Sequence, residues 1–141
     1  MRIVLDTNVL VAGLLSPFGP SAEIIRMVSS GELTLYFDAR ILSEYSEVLR
    51  RSKFRFHMDK VIALLDYIEH RGYIVASSPL SNSLPDPGDQ PFLEVAVAGQ
   101  AVCLVTGNLA HFPPKLRQGV KVLSPSDFLI FYKKQQKQKR T

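Results

Sequence analysis

The chain has 141 residues, 46% of them apolar, which suits one domain with a continuous core and leaves no length for a second. No apolar run approaches the roughly 18 residues of a membrane span, the N-terminus lacks the basic flank and cleavage site of a secretory signal, and the single cysteine, Cys103, excludes an internal disulfide, so a cytosolic protein is expected. The formal charge of +4 is concentrated at one end: Lys133, Lys134, Lys137, Lys139 and Arg140 supply five of the 17 basic residues, and residues 1–132 hold 12 bases against 13 acids.

Taken in chain order, "RIVLD" reads as a buried strand and "NVLVAGLL" as a helix that Pro17, Gly19 and Pro20 interrupt. "SAEIIRMVSSG" is a second helix closed by Gly31, "LTLYF" a strand, and "ARILSEYSEVLRR" a helix capped by Asp38. "DKVIALLDYIEHRG" carries Val61, Leu64, Leu65 and Ile68 at helical spacing and ends at Gly72. "YIVA" is a strand, and residues 77–88, rich in Pro and Ser, form a loop. "DQPFLEVAVAG" is a helix, "AVCLVT" and "KVL" are strands, and "SPSDFLIFYKK" opens a last helix with Ser124 as cap, Pro125 at its first position and Asp127 three residues on. The polar end "KKQQKQKR" has nothing apolar to bury and is expected to be disordered, which gives a domain over 1–132 and a basic tail over 133–141. Apolar strands alternating with helices predict an α/β fold, a three-layer α/β/α sandwich around a mostly parallel sheet.

In such a sheet the functional crevice lies at the carboxyl ends of the strands, near the point where strand order reverses. Asp6 ends the first strand; it could cap the following helix or face that crevice. On the helix after Asp38, Glu44 lies about 40° from Val48, at the edge of the apolar stripe, where it is either ordinary helix surface or half-buried; Glu47 turns towards water. Asp89 sits in the first turn of the apolar face made by Phe92, Leu93, Ala96 and Val97, a position that also suits a helix start. Asp86 precedes it in a loop stiffened by Pro85 and Pro87, and Thr106, Gly107 and Asn108 follow the end of another strand.

Carboxylates held together raise one another's pKa unless a cation neutralises them. With no cluster of His or Cys in the sequence pattern, a hard ion with oxygen ligands, Mg²⁺ or Mn²⁺, suits the set better than zinc. Such an ion can activate water and shield a phosphodiester, the chemistry of a metal-dependent nuclease. A haloacid-dehalogenase-type phosphatase would need an aspartate in place of Asn8, a receiver domain an acidic pair after the first strand, and a nucleotide triphosphatase a glycine-rich phosphate loop; all three are missing. A basic run, Arg50, Arg51, Lys53, Arg55 and Lys60 with His57, interleaves Phe54 and Phe56; it either follows a phosphate backbone or is a solvated helix end with two phenylalanines turned inward.

The segments "VLDTNVLVAGLL", "ILSEYSEVLRRSKF", "DPGDQPFLEVAVAG" and "LVTGNLAHFP", in this order, resemble a PIN-domain protein, most closely the toxin component of a type II toxin–antitoxin system, over about residues 1–130. The resemblance implies a Mg²⁺- or Mn²⁺-dependent ribonuclease of single-stranded RNA, frequent homodimers and an antitoxin partner. It places the family's acids on Asp6, Glu44 and Asp89 as catalytic and metal-binding residues, and its supporting polar positions on Thr7, Asn8 and Thr106. Asn108 stands where many relatives have aspartate, a loss of one formal charge that Asp86 would offset. The expected division of labour has Asp6 and Asp89 on the ion, Glu44 helping to deprotonate water, and Arg50, Arg51, Lys53 and Arg55 on RNA. The other reading is a catalytically weak PIN-like module that binds RNA or protein.

Overall fold

In the computed structural model, which describes residues 1–140, five short strands form one sheet: β1 (Arg2–Leu5), β2 (Thr34–Phe37), β3 (Tyr73–Ile74), β4 (Cys103–Val105) and β5 (Val122–Leu123). Every neighbouring pair is parallel and the order is β3-β2-β1-β4-β5. Six helices cover it: α1 (Thr7–Leu15), α2 (Pro20–Ser29), α3 (Ala39–Leu49), α4 (Met58–Arg71), α5 (Gln90–Ala98) and α6 (Pro125–Arg140). The predicted three-layer α/β/α sandwich is observed.

Successive strand residues face opposite sides of a sheet, yet Ile3, Val4 and Leu5 are all fully buried, so β1 is covered on both faces. α5 packs across β1, β2 and β4, while α3 and α4 pair and reach β2. α1 and α2 pack on each other, and α6 lies on α2 and β5. From β1 the chain runs outward through β2 to β3, then returns to lay β4 on the other flank of β1. Strand order therefore reverses between β1 and β4, and the loops after these two strands part there. That is where a ligand crevice belongs.

The local signals mostly act as the sequence suggests. Asp38 accepts a hydrogen bond from Ile41 N at 3.0 Å and starts α3, and Ser124 Oγ accepts one from Asp127 N at 3.1 Å and starts α6. Two differences have simple causes. Residues 133–140 continue α6 where a disordered tail was expected: a run of Lys, Gln and Arg without Gly or Pro extends a helix already nucleated over Phe128. The stretch before α5 tightens into a short 3-10 turn, Pro87–Asp89, which places Asp89 one residue ahead of the helix. Among the described residues no single helix is long and apolar enough to cross a membrane. Cys103 is fully buried in β4, and burial pushes its thiol up to about 12, so it packs as a small hydrophobe.

Gly72 ends α4, but not through a left-handed turn, since its φ is −80°. Its role is close approach: a Cβ there would meet the carbonyl oxygens of Leu35 and Ile68 at 2.7 Å each and Phe37 at 2.8 Å. Backbone oxygens in β2 and α4 cannot swing aside as a side chain would. Gly72→Ala is therefore expected to lower unfolding free energy by roughly 1–3 kcal/mol, read by urea denaturation; an unchanged midpoint would show that α4 is free to shift off β2.

Candidate metal centre

The carboxyl end of β1 is fixed before any acid is considered. Asp6 N donates to Val105 O at 2.9 Å, carrying the β1–β4 pairing one residue past the strand. The buried Tyr45 hydroxyl donates to Leu5 O at 2.6 Å, tying α3 to the same end. Asp6 occupies the position before α1, yet its side chain makes no capping hydrogen bond. Its Oδ2 accepts instead from Thr106 Oγ1 at 2.8 Å and from Asn8 Nδ2 at 3.3 Å. The choice between helix cap and crevice is thereby decided for the crevice.

Two polar side chains lace the loops after β1 and β4 together. Asn8 Oδ1 accepts from Gly107 N at 2.9 Å, and Thr106 Oγ1 accepts from Asn108 N at 3.0 Å. Thr106 is fully buried and Asp6 is only 5% exposed. Burial raises the Asp6 carboxyl above its ordinary value, and the Thr106 hydroxyl offsets this only in part.

Glu44 arrives on α3, one residue before the buried Tyr45, and is half-buried as its angular position implied. Thr7 Oγ1 donates to Glu44 Oε2. Burial raises the Glu44 carboxyl, the Thr7 hydrogen bond lowers it, and the charge of Asp6 raises it again. Glu47 faces water and binds Arg51 at 2.9 Å.

Asp89 comes from the opposite side. Asp86 Oδ1 accepts from Gly88 N at 2.8 Å and folds the 3-10 turn that turns Asp89 inward. Asp89 is 8% exposed, and its Oδ2 is buried without a hydrogen-bond partner. The carboxyl is pushed up to about 6, by burial first and then by Asp6; His111 opposes the shift and Asp86 adds to it. His111 Nδ1 lies 2.9 Å from that oxygen, an ion-pair distance that lacks hydrogen-bond geometry.

The structure thus brings Asp6 between Glu44 and Asp89, each of which feels its charge, with Thr7, Asn8, Thr106 and Asp86 around them. Asn108 is exposed, and it is its backbone N–H that joins the network. By distance, the donors that fit a divalent cation are Asp86, Asp89 and His111, whose ligand atoms lie within 4.8 Å of one another, and Asp89 also carries a buried oxygen without a hydrogen-bond partner; Asp6 and Glu44 are not part of that grouping. Sequence reading passed over two members. His111 lies in an irregular loop with no periodicity to mark it, although it follows Asn108 by only three residues; Tyr45 looked like one more apolar position of α3.

The basic run divides. Arg51 is held by Glu47 but lies close enough to lower the Glu44 carboxyl, Arg50 donates to Ser46 Oγ at 3.0 Å, and Lys53 sits 5.1 Å from the Phe54 ring centre. Arg55 adopts φ +55° and lines a groove with Leu15, Phe54 and Phe56. Phe54 and Phe56 stack at 5.3 Å; only Phe56 packs against the core.

A family profile described as a PIN domain matches residues 2–110 of the chain. An uncharacterized protein of Methanocaldococcus jannaschii is 23% identical over 111 residues, which cover 77% of this chain and 71% of that protein.

The acids hold their protons more tightly folded than unfolded, so the folded chain carries the extra protons between about pH 4 and pH 6. The stability this gives is full below that window and is lost as pH rises through it. In EDTA the protein is expected to resist urea better at pH 5 than at pH 7, and Asp89→Asn to regain about 1–2 kcal/mol at pH 7; equal stability at the two pH values would mean the acids are solvated.

Proposed function

The chain belongs to the PIN-domain family, and from that premise we propose that it is a Mg²⁺- or Mn²⁺-dependent endoribonuclease cutting single-stranded RNA, and the toxin of a toxin–antitoxin pair. Members of the family are generally metal-dependent nucleases. The observation that carries the reading here is the under-neutralised set of the buried Asp6 and Asp89 with the half-buried Glu44 at the reversal of strand order. A divalent cation held there supplies shielding of the phosphodiester charge and makes water more acidic.

The protein's own residues do the rest. Asp6 and Asp89 hold the ion, and Thr106 and Asn8 keep the Asp6 carboxylate from rotating. Glu44, with its proton affinity raised by burial, orients water and takes its proton, and Thr7 fixes its angle. Arg51, next to this edge, meets the RNA backbone with Lys53, Arg50 and Arg55. Leu15 and Phe18, 56% and 97% exposed, supply apolar surface that an antitoxin or a second copy would cover.

A second reading follows from Asn108. Asn108 joins the network only through its backbone N–H, so no further carboxylate enters from the loop after β4, which suits a PIN-like module that binds RNA or protein and cleaves feebly.

Asp6→Asn is expected to cut Mn²⁺-dependent cleavage of single-stranded RNA by at least about 100-fold while leaving RNA binding intact. Wild-type protein that binds RNA without cleaving it in either metal would favour the module. Replacing Arg51 and Lys53 with glutamine should flatten the salt dependence of RNA binding, by about 1.4 in slope if each meets one phosphate; an unaltered slope assigns these residues to other work.

A further inference from the structure

Among the described residues, a group of ligand atoms close enough to share one ion contains a nitrogen. Asp86, Asp89 and His111 present one atom each within a 4.8 Å span. His111 comes from a 3-10 turn, Leu109–His111, that follows β4, and its N–H closes that turn on Asn108 O at 3.1 Å. The residue lies just past the family match, which ends at 110.

Two features point to a ligand rather than to an ion pair. Asp89 Oδ2 is shielded from water and has no hydrogen-bond partner, a costly state for a carboxylate oxygen. Its 2.9 Å approach to His111 Nδ1 is as short as a hydrogen bond but lacks the alignment of one. Adjacent ligands on a six-coordinate ion with bonds of about 2.1 Å stand about 3 Å apart, each with a lone pair aimed at the ion and not at its neighbour. The His111 ring is 42% exposed, so an ion can enter from solvent.

We propose that the cation site of this chain is a mixed nitrogen and oxygen site, in which His111 Nδ1 and Asp86 join the oxygens of Asp89 and Asp6, and that the imidazole selects Mn²⁺ over Mg²⁺. This rests on the reading of the acidic pocket as a metal centre. Imidazole suits the transition metals, whereas Mg²⁺ keeps to oxygen donors.

The test uses the metals alone on the full chain. Pulsed EPR of Mn²⁺-loaded protein is expected to show nitrogen coupling from a directly bound imidazole, which shifts when the histidines are labelled with ¹⁵N and disappears in His111→Gln. By calorimetry, His111→Gln and His111→Ala are expected to weaken Mn²⁺ binding about tenfold or more while Mg²⁺ affinity changes less than about twofold. If Mn²⁺ binds and Asp89→Asn weakens it, but there is no nitrogen coupling and both His111 variants match wild type, the nitrogen ligand is overturned and the metal centre stands. If neither metal binds wild-type protein at millimolar concentration, the metal centre itself falls, and this inference with it.

Discussion

Two carboxylates drawn out of water at one end of a parallel sheet, with a third half-withdrawn beside them, set the constraint on which the rest of this structure turns. Ionised oxygens are stable inside a protein only when hydrogen bonds or opposite charge replace their hydration. Here the replacement is incomplete: Thr106 and Asn8 serve one oxygen of Asp6, Thr7 serves Glu44, and one oxygen of Asp89 is left with nothing but a misaligned imidazole. A fold built for stability alone would place leucine at these positions. The hydrogen bonds that exist hold the acids in place without discharging them, and this separates a binding pocket from an ion pair such as the half-exposed Arg40 with Glu94, where a guanidinium sits 2.7 Å from the carboxylate.

The same constraint explains the polar side chains that are not acids. Thr106 and Asn8 each bond both to Asp6 and to the loop after β4, so the pocket wall and the carboxylate move together. Tyr45 does the corresponding work for α3: its hydroxyl holds the last carbonyl of β1, and the neighbouring Glu44 is carried to Asp6. Burial and then the nearby acids Asp6 and Glu44 raise the Tyr45 hydroxyl well above its ordinary value, so it stays a donor to Leu5 O at neutral pH.

Much of this was legible in the letters, for definite reasons. Asp6 and Thr106 end apolar strands, and a parallel sheet puts strand ends on one edge. Glu44 was placed by the 3.6-residue repeat of α3, and Asp38 and Ser124 by the chemistry of helix starts. What escaped reading depends on contacts between distant segments. His111 meets Asp89 because the loop after β4 and the turn before α5 pack side by side, and no repeat in either records that. Gly72 was read as a stop signal when it is a point of contact between α4 and β2, and the basic end of α6 was read by its lack of apolar residues when helix propensity decided it. Periodicity reports which face of an element is buried, and remains silent about who the neighbour is.

The solitary thiol at the start of β4 has a practical outcome. Cys103 pairs with Ile3 of β1 and is fully buried, and burial pushes its thiol up to about 12; because it is shut away from solvent, a thiol-specific dye reaches it only when the middle strands separate. Its labelling rate is a built-in clock of global opening, free of interference from other thiols, and anything that tightens the neighbouring strand ends must slow it.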